Sequence, residues 1–128
     1  MAETGKKKRI MVVDDDEDVT DVLAWTLVED GYDVTTAHDG EGVVDKLRSE
    51  EYVLLIVDLC MPRKGGLDVI REVRAGNLPV KICVITGYLD SESLSAIKTL
   101  KADMAFSKPF SPSDLLRRLK ELEASSPD

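Results

Sequence analysis

The sequence predicts an α/β domain built on a parallel five-stranded sheet, and three observations carry that prediction. Five short apolar runs alternate with five stretches of helical periodicity. Three of the runs, IMVV, VLLIV and ICVI, are almost wholly apolar, as strands covered on both faces must be. The other two, DVTTA and MAFS, are more polar or shorter, which suits the edges of a sheet.

Taken in order, the strands are expected at residues 10–13, 33–37, 53–57, 81–85 and 104–107, and the helices at 18–29, 42–49, 67–75, 92–100 and 112–123. In the first helix Val19, Val22, Leu23, Thr26 and Leu27 share one face, with Trp25 packing on its flank. The fourth helix opens on Asp90 as its cap, with Leu89 packing on Leu94. The last helix has the clearest start. Ser111 caps it, Pro112 suits the first helical position, Asp114 faces the exposed amides, and Phe110 and Leu115 staple the entry. Leu115, Leu119 and Leu122 form its inner stripe, leaving Arg117, Arg118, Lys120 and Glu121 outside. Placing the three apolar strands at the centre gives a single flavodoxin-like, doubly wound (βα)5 domain of strand order 2-1-3-4-5, with right-handed crossovers. The expected organisation is a basic arm at 1–8, the domain at 9–123, and a tail or the start of a linker at 124–128.

Composition narrows the function classes. A chain of 128 residues is long enough for one domain with a real core. Apolar and charged fractions of 43% and 33% describe a soluble globular protein rather than a disordered one. A net charge of -8 argues against direct nucleic-acid binding by this domain, and Lys6, Lys7, Lys8 and Arg9 read as a solvated arm. No apolar run approaches the roughly 18 residues of a membrane span, and none resembles a signal peptide. Cys60 and Cys83 sit in apolar contexts without metal-ligand spacing, so they are expected as reduced core thiols of a cytoplasmic protein.

In a sheet of this order, ligands bind beyond the carboxyl ends of the central strands. Those ends deliver Asp14 and Asp15 from the first strand, Asp58 from the third, Thr86 from the fourth, and Lys108 with Pro109 after the fifth. Three carboxylates carry -3, and Mg²⁺ together with one lysine would supply +3. Without a metal the carboxylates would repel one another; with it they form a hard-oxygen site. Such a site suits a phosphoryl group. Lys108 and the metal would neutralise the charge on its oxygens, Thr86 would donate a hydrogen bond, and Asp58 would be the nucleophile through an acyl phosphate. The acidic run DDDED divides accordingly, with Asp14 and Asp15 in the site and Asp16, Glu17 and Asp18 opening the next helix.

Four motifs, VVDD (12–15), VDLCMP (57–62), VITG (84–87) and SKPF (107–110), each fall on the right strand. With them the chain resembles a response-regulator receiver domain of two-component signalling over about residues 9–123. The resemblance implies phosphorylation of Asp58 from a phosphohistidine, donated by a sensor histidine kinase or a histidine phosphotransfer protein. It implies Mg²⁺ held by Asp15, Asp58 and the backbone carbonyl of Cys60, with Asp14 acting directly or through water. It further implies that Thr86 and Lys108 contact the phosphoryl group and that Lys108-Pro109 is a cis peptide. The output would be a change of partner at the surface of the fourth helix, fifth strand and fifth helix. That partner would be a downstream protein or a fused effector domain, and a homodimer stays open.

Two positions depart from the family pattern. Gly65 precedes Gly66 where Asp or Ser is common, which affects the loop more than the chemistry. Ala105 stands where a switching aromatic usually sits, and strand alternation should turn the neighbouring Phe106 to the other face. Gly87 and Tyr88, just beyond Thr86, lie where the family modulates loss of the phosphoryl group, and Tyr88 either shields the acyl phosphate or packs partly on the surface. His38 reads as a loop residue, and Met11, Met61 and Met104 as core.

Other functions fit less well. Phosphatases that use a strand-end Asp nucleophile need a second Asp two residues on, and Cys60 occupies that position. A calcium loop counted from Asp14 or Asp16 lacks both its glycine and its closing glutamate. The alternative that remains is a docking module with the same fold, working without phosphorylation, as Ala105 suggests.

Overall fold

The computed structural model describes residues 7–61, 63–87 and 90–125. Its elements alternate along the chain as β1 (Arg9–Val13), α1 (Glu17–Glu29), β2 (Asp33–Ala37), α2 (Val43–Ser49), β3 (Leu54–Asp58), α3 (Gly66–Ala75), β4 (Lys81–Thr86), α4 (Ser91–Thr99), β5 (Met104–Ser107) and α5 (Pro112–Ser125). The sheet order is β2-β1-β3-β4-β5 and every pairing is parallel, as expected from the sequence. Tyr88 and the contact of Leu89 with Leu94 lie outside the described residues, as does Pro62.

Side-chain alternation splits the apolar strands between two cores. Met11, Val13, Leu55, Val57, Ile82 and Val84 face one layer with residues of α2, α3 and α4. Ile10, Val12, Leu54, Ile56, Cys83 and Ile85 face the other with Leu23, Leu27, Leu115 and Leu119 from α1 and α5. Each fully buried aliphatic side chain contributes about 2 kcal/mol relative to leaving it in water. The sheet is thereby held rigidly between two helical layers, and its carboxyl edge becomes a fixed platform.

Caps act where the sequence places them. Asp16 accepts from the Asp18 amide at 2.9 Å and starts α1, while Glu17 and Asp18 occupy its first turn. Asp90 caps α4 through the Ser93 amide at 2.8 Å, and Ser111 Oγ accepts from the Asp114 amide at 3.3 Å. At the far end of α5, Glu123 accepts from the Tyr32 hydroxyl at 2.7 Å and from Lys8 Nζ at 3.1 Å.

Three expectations need correction. The buried seam of α1 runs through Thr20, Leu23 and Leu27, and Val22 is exposed. Through this seam α1 packs against β2 and α5, with Leu23 and Leu27 in the same core as Leu115 and Leu119. Trp25 is not flank packing: it is 70% exposed. Cys60 is exposed too, because the chain leaves the sheet after Asp58; only Cys83 is a core thiol, and both are free.

Candidate functional site

The site is built from the ends of four strands. β1 stops where the Asp14 amide donates to the Ala37 carbonyl at 3.0 Å, one residue beyond the last β1-β2 pair. Asp14 Oδ1 then accepts from the Asp16 amide at 2.9 Å, which turns the chain toward α1 and fixes the Asp14 carboxylate inward. Asp14 is fully buried, whereas Asp15 is exposed.

Asp58 closes β3 and is also buried, held by the Cys60 amide at 3.1 Å from its Oδ1. The chain behind it can turn into α3 only because residue 66 is glycine. A Cβ there would lie 2.2 Å from the Asp58 carbonyl oxygen. Thr86 ends β4, fully buried, and its carbonyl accepts from the Lys108 amide at 2.8 Å.

Lys108 ties the site together. Its ammonium lies 2.8 Å from Asp14 Oδ2 and 3.0 Å from Asp58 Oδ2, and its peptide bond to Pro109 is cis. Burial of this ammonium pulls its pKa down, but its pairing with the Asp14 and Asp58 carboxylates outweighs burial and holds it above the ordinary lysine value. Lys108 is therefore a permanent cation at neutral pH.

Carboxylate oxygens of Asp14, Asp15 and Asp58 lie within 4.8 Å of one another. Three negative charges against one ammonium leave -2 in a small volume. Asp14 Oδ2 has the Lys108 ammonium beside it, but no hydrogen bond of good geometry reaches it from the described residues. Crowded oxygens, excess negative charge and an incompletely satisfied buried acceptor all fit a hard divalent cation such as Mg²⁺.

The structure thus brings Asp14, Asp15, Asp58, Thr86, Lys108 and Pro109 to one edge, with Cys60 and Gly87 in the adjoining loops. Ala105 is exposed on β5, and Phe106 faces the opposite layer, tilted 6.2 Å from Phe110 and with the Arg118 guanidinium 5.7 Å above its ring. Beside Lys108 an apolar groove of about 490 Å³ opens between α1 and the β5-α5 loop, lined by Val19, Val22, Leu23, Phe110 and Pro112.

Sequence reasoning missed one set of residues next to the site. His38 Nε2 lies 3.3 Å from Thr20 Oγ1, and Arg63 is paired with Asp39. The turn signal Asp39-Gly40 was the available hint. A turn signal says nothing about which loop the turn will touch.

Comparison with known proteins agrees with this geometry. Residues 10–120 match the model of the response regulator receiver domain. The chain is 34% identical over 115 residues to the alkaline phosphatase synthesis transcriptional regulatory protein PhoP of Bacillus subtilis, an alignment covering 90% of this chain and 48% of that protein. It is 35% identical over 113 residues to response regulator RR06 of Streptococcus pneumoniae, covering 88% and 52%. The chain spans about half the length of these curated relatives. Among solved structures, a CheY-like receiver domain protein from Methanospirillum hungatei superposes with a TM-score of 0.86 at 29% identity, covering 91% of this chain and 94% of that one.

Proposed function

We propose a function from one premise: the chain belongs to the response regulator receiver family. It is a phosphoaccepting switch of a two-component system, with Asp58 as the phosphoacceptor. The observation that carries this reading is the single ammonium of Lys108 bridging two buried carboxylates, with a third within 4.8 Å.

Asp15, Asp58 and the Cys60 carbonyl are the residues that would hold Mg²⁺, with Asp14 bound directly or through water. When bound, the ion supplies positive charge to the oxygens of the transferred phosphoryl group. The chain's own residues do the rest. An Asp58 carboxylate oxygen attacks phosphorus; the bond from phosphorus to the donor histidine nitrogen breaks with its electron pair going to that nitrogen, and the imidazole leaves neutral because its other ring nitrogen carries a proton. Lys108 moves its ion pair from the free carboxylate to a phosphoryl oxygen, and the Thr86 hydroxyl donates to another. Burial of Asp58 limits water at the acyl phosphate. Hydrolysis then returns the carboxylate slowly, without turnover of a separate substrate.

The donor is a sensor histidine kinase or a histidine phosphotransfer protein. The groove between α1 and the β5-α5 loop supports this, since it is apolar and opens at Lys108, where a helix carrying the phosphohistidine could lie. Output runs through α4, β5 and α5 to a separate partner or a fused effector. Ala105 leaves no aromatic side chain on the α4 side of β5, so the output does not run through the turning of an aromatic at that position. Gly87 and Tyr88 modulate how long the phosphoryl group survives.

Incubation with Mg²⁺ and acetyl phosphate tests the reading. Intact mass should rise by one phosphoryl group, and Asp58→Asn should abolish the gain. A wild type that gains no mass under these conditions would overturn the switch and favour a docking module that works without phosphorylation.

A further inference from the structure

The loop from His38 to Gly40 carries none of the residues assigned above, yet it touches both acidic loops of the site. On one side, the Ala37 carbonyl accepts from the Asp14 amide at 3.0 Å. His38 reaches Thr20 in the first turns of α1, directly after the Asp14–Asp16 turn. Thr20 Oγ1 already donates to the Glu17 carbonyl at 3.0 Å, so in the 3.3 Å contact His38 Nε2 is the donor and Thr20 the acceptor. Thr20 is buried, which gives this contact a fixed end.

On the other side the same loop holds the segment that follows Asp58 and Cys60. The Gly40 amide donates to the Lys64 carbonyl at 3.0 Å, and the Asp39 carboxylate pairs with Arg63. Asp39 also accepts from the Glu41 amide at 2.8 Å, which orients its carboxylate. The Arg63 pairing, followed by the Glu41 amide, holds the Asp39 carboxyl below the usual carboxylate range. Arg63 has φ 62, a left-handed conformation that a non-glycine residue keeps only when its neighbours hold it. Gly40 has no room for a side chain: a Cβ would lie 2.6 Å from the Lys64 carbonyl oxygen and 2.8 Å from Val69 Cγ2. The two loops are in contact as closely as backbone allows.

We infer that His38, Asp39 and Gly40 are positioning residues for the acidic site: with Arg63 and Lys64 they clamp the Asp58-Cys60 loop at a fixed distance from the Asp14-Asp15 turn. The clamp rests on the proposed Mg²⁺ site. Carboxylates that repel one another will drift apart unless their loops are tied. A cation that prefers strict octahedral geometry binds best where its ligands are already at the right spacing. The Arg63 end of the ion pair is exposed, so the effect of the pair on global stability is small, whereas its effect on the spacing of two short loops is direct.

Calorimetric titration of the full chain with Mg²⁺, paired with urea unfolding in EDTA, tests the clamp. Arg63→Ala and Asp39→Ala should each weaken Mg²⁺ binding about threefold. The double variant should be no worse than either single one, because the two share one interaction. Arg63→Lys should recover part of the loss. Gly40→Ala should weaken binding about tenfold by pushing the loops apart. The urea midpoint of Arg63→Ala in EDTA should match the wild type. Wild-type affinity in both Arg63→Ala and Asp39→Ala overturns the clamp and leaves the metal site standing. A loss of affinity matched by a lower urea midpoint also overturns it, since that is general loosening. A wild type that binds no Mg²⁺ overturns the metal site and the clamp together.

Discussion

Lys108 Nζ lies 3.0 Å from Asp58 Oδ2, two residues fifty positions apart in the chain and brought together by the ends of β3 and β5. The same ammonium is 2.8 Å from Asp14 Oδ2. One cation thus divides its charge between two buried carboxylates, and Asp15 adds a third negative charge beside them. This arrangement stores a demand for positive charge, from which the response to metal follows.

Mg²⁺ should therefore stabilise the folded chain. At about ten times its dissociation constant it should add about 1.4 kcal/mol, a rise in melting temperature of about 4 °C for a domain of this size. Asp15→Asn removes one of the repelling charges. It should raise the melting temperature in EDTA and cut the increment from Mg²⁺ to less than about half, because one ligand of two or three is gone. Thermal unfolding with and without Mg²⁺ checks both statements.

Gly66→Ala should damage the site through packing rather than charge. The added Cβ would meet the Asp58 carbonyl oxygen at 2.2 Å, which is backbone and cannot swing aside. A destabilisation of about 3 kcal/mol is expected in urea unfolding. Phosphorylation by acetyl phosphate should fall with it, even under conditions where the variant remains folded.

The two cysteines should react very differently. Burial pushes the Cys83 thiol up to about 12, so it stays protonated and inaccessible in the folded chain. Cys60 is exposed. Iodoacetamide should modify Cys60 alone in the native protein and both thiols in denaturant, as peptide mass mapping would reveal.

Alkaline pH should weaken the tie between α5 and the start of β2. Burial, with the hydrogen bond to Glu123, raises the Tyr32 pKa above its ordinary 10.0. The protonated phenol is the form the fold favours. Its stabilisation is fully present below pH 10 and is lost as pH climbs through the raised value, because the unfolded chain releases the proton first. Tyr32→Phe should cost about 1 kcal/mol at neutral pH. That gap should close as pH rises past 10 in urea unfolding series.

Element order, sheet order and the convergence of the candidate residues at the strand ends could all be read from the sequence. The reason is physical. Apolar runs with strand propensity and caps such as Asp16, Asp90 and Ser111 are local signals, and a parallel sheet sends every strand's carboxyl end to the same edge. Asp14, Asp58, Thr86 and Lys108 therefore had to converge once the strands were identified. Tertiary structure alone decided what depends on neighbours with no local signature. The choice of Thr20 over Val22 as the buried side of α1 depends on how α5 and β2 press on the helix. The exposure of Trp25 follows from the same packing, and that of Cys60 from the direction in which the chain leaves β3. The pairs of His38 with Thr20 and Asp39 with Arg63 join loops 18 and 24 residues apart in sequence. No periodicity encodes such a pairing: it exists only once the sheet has set the loops side by side.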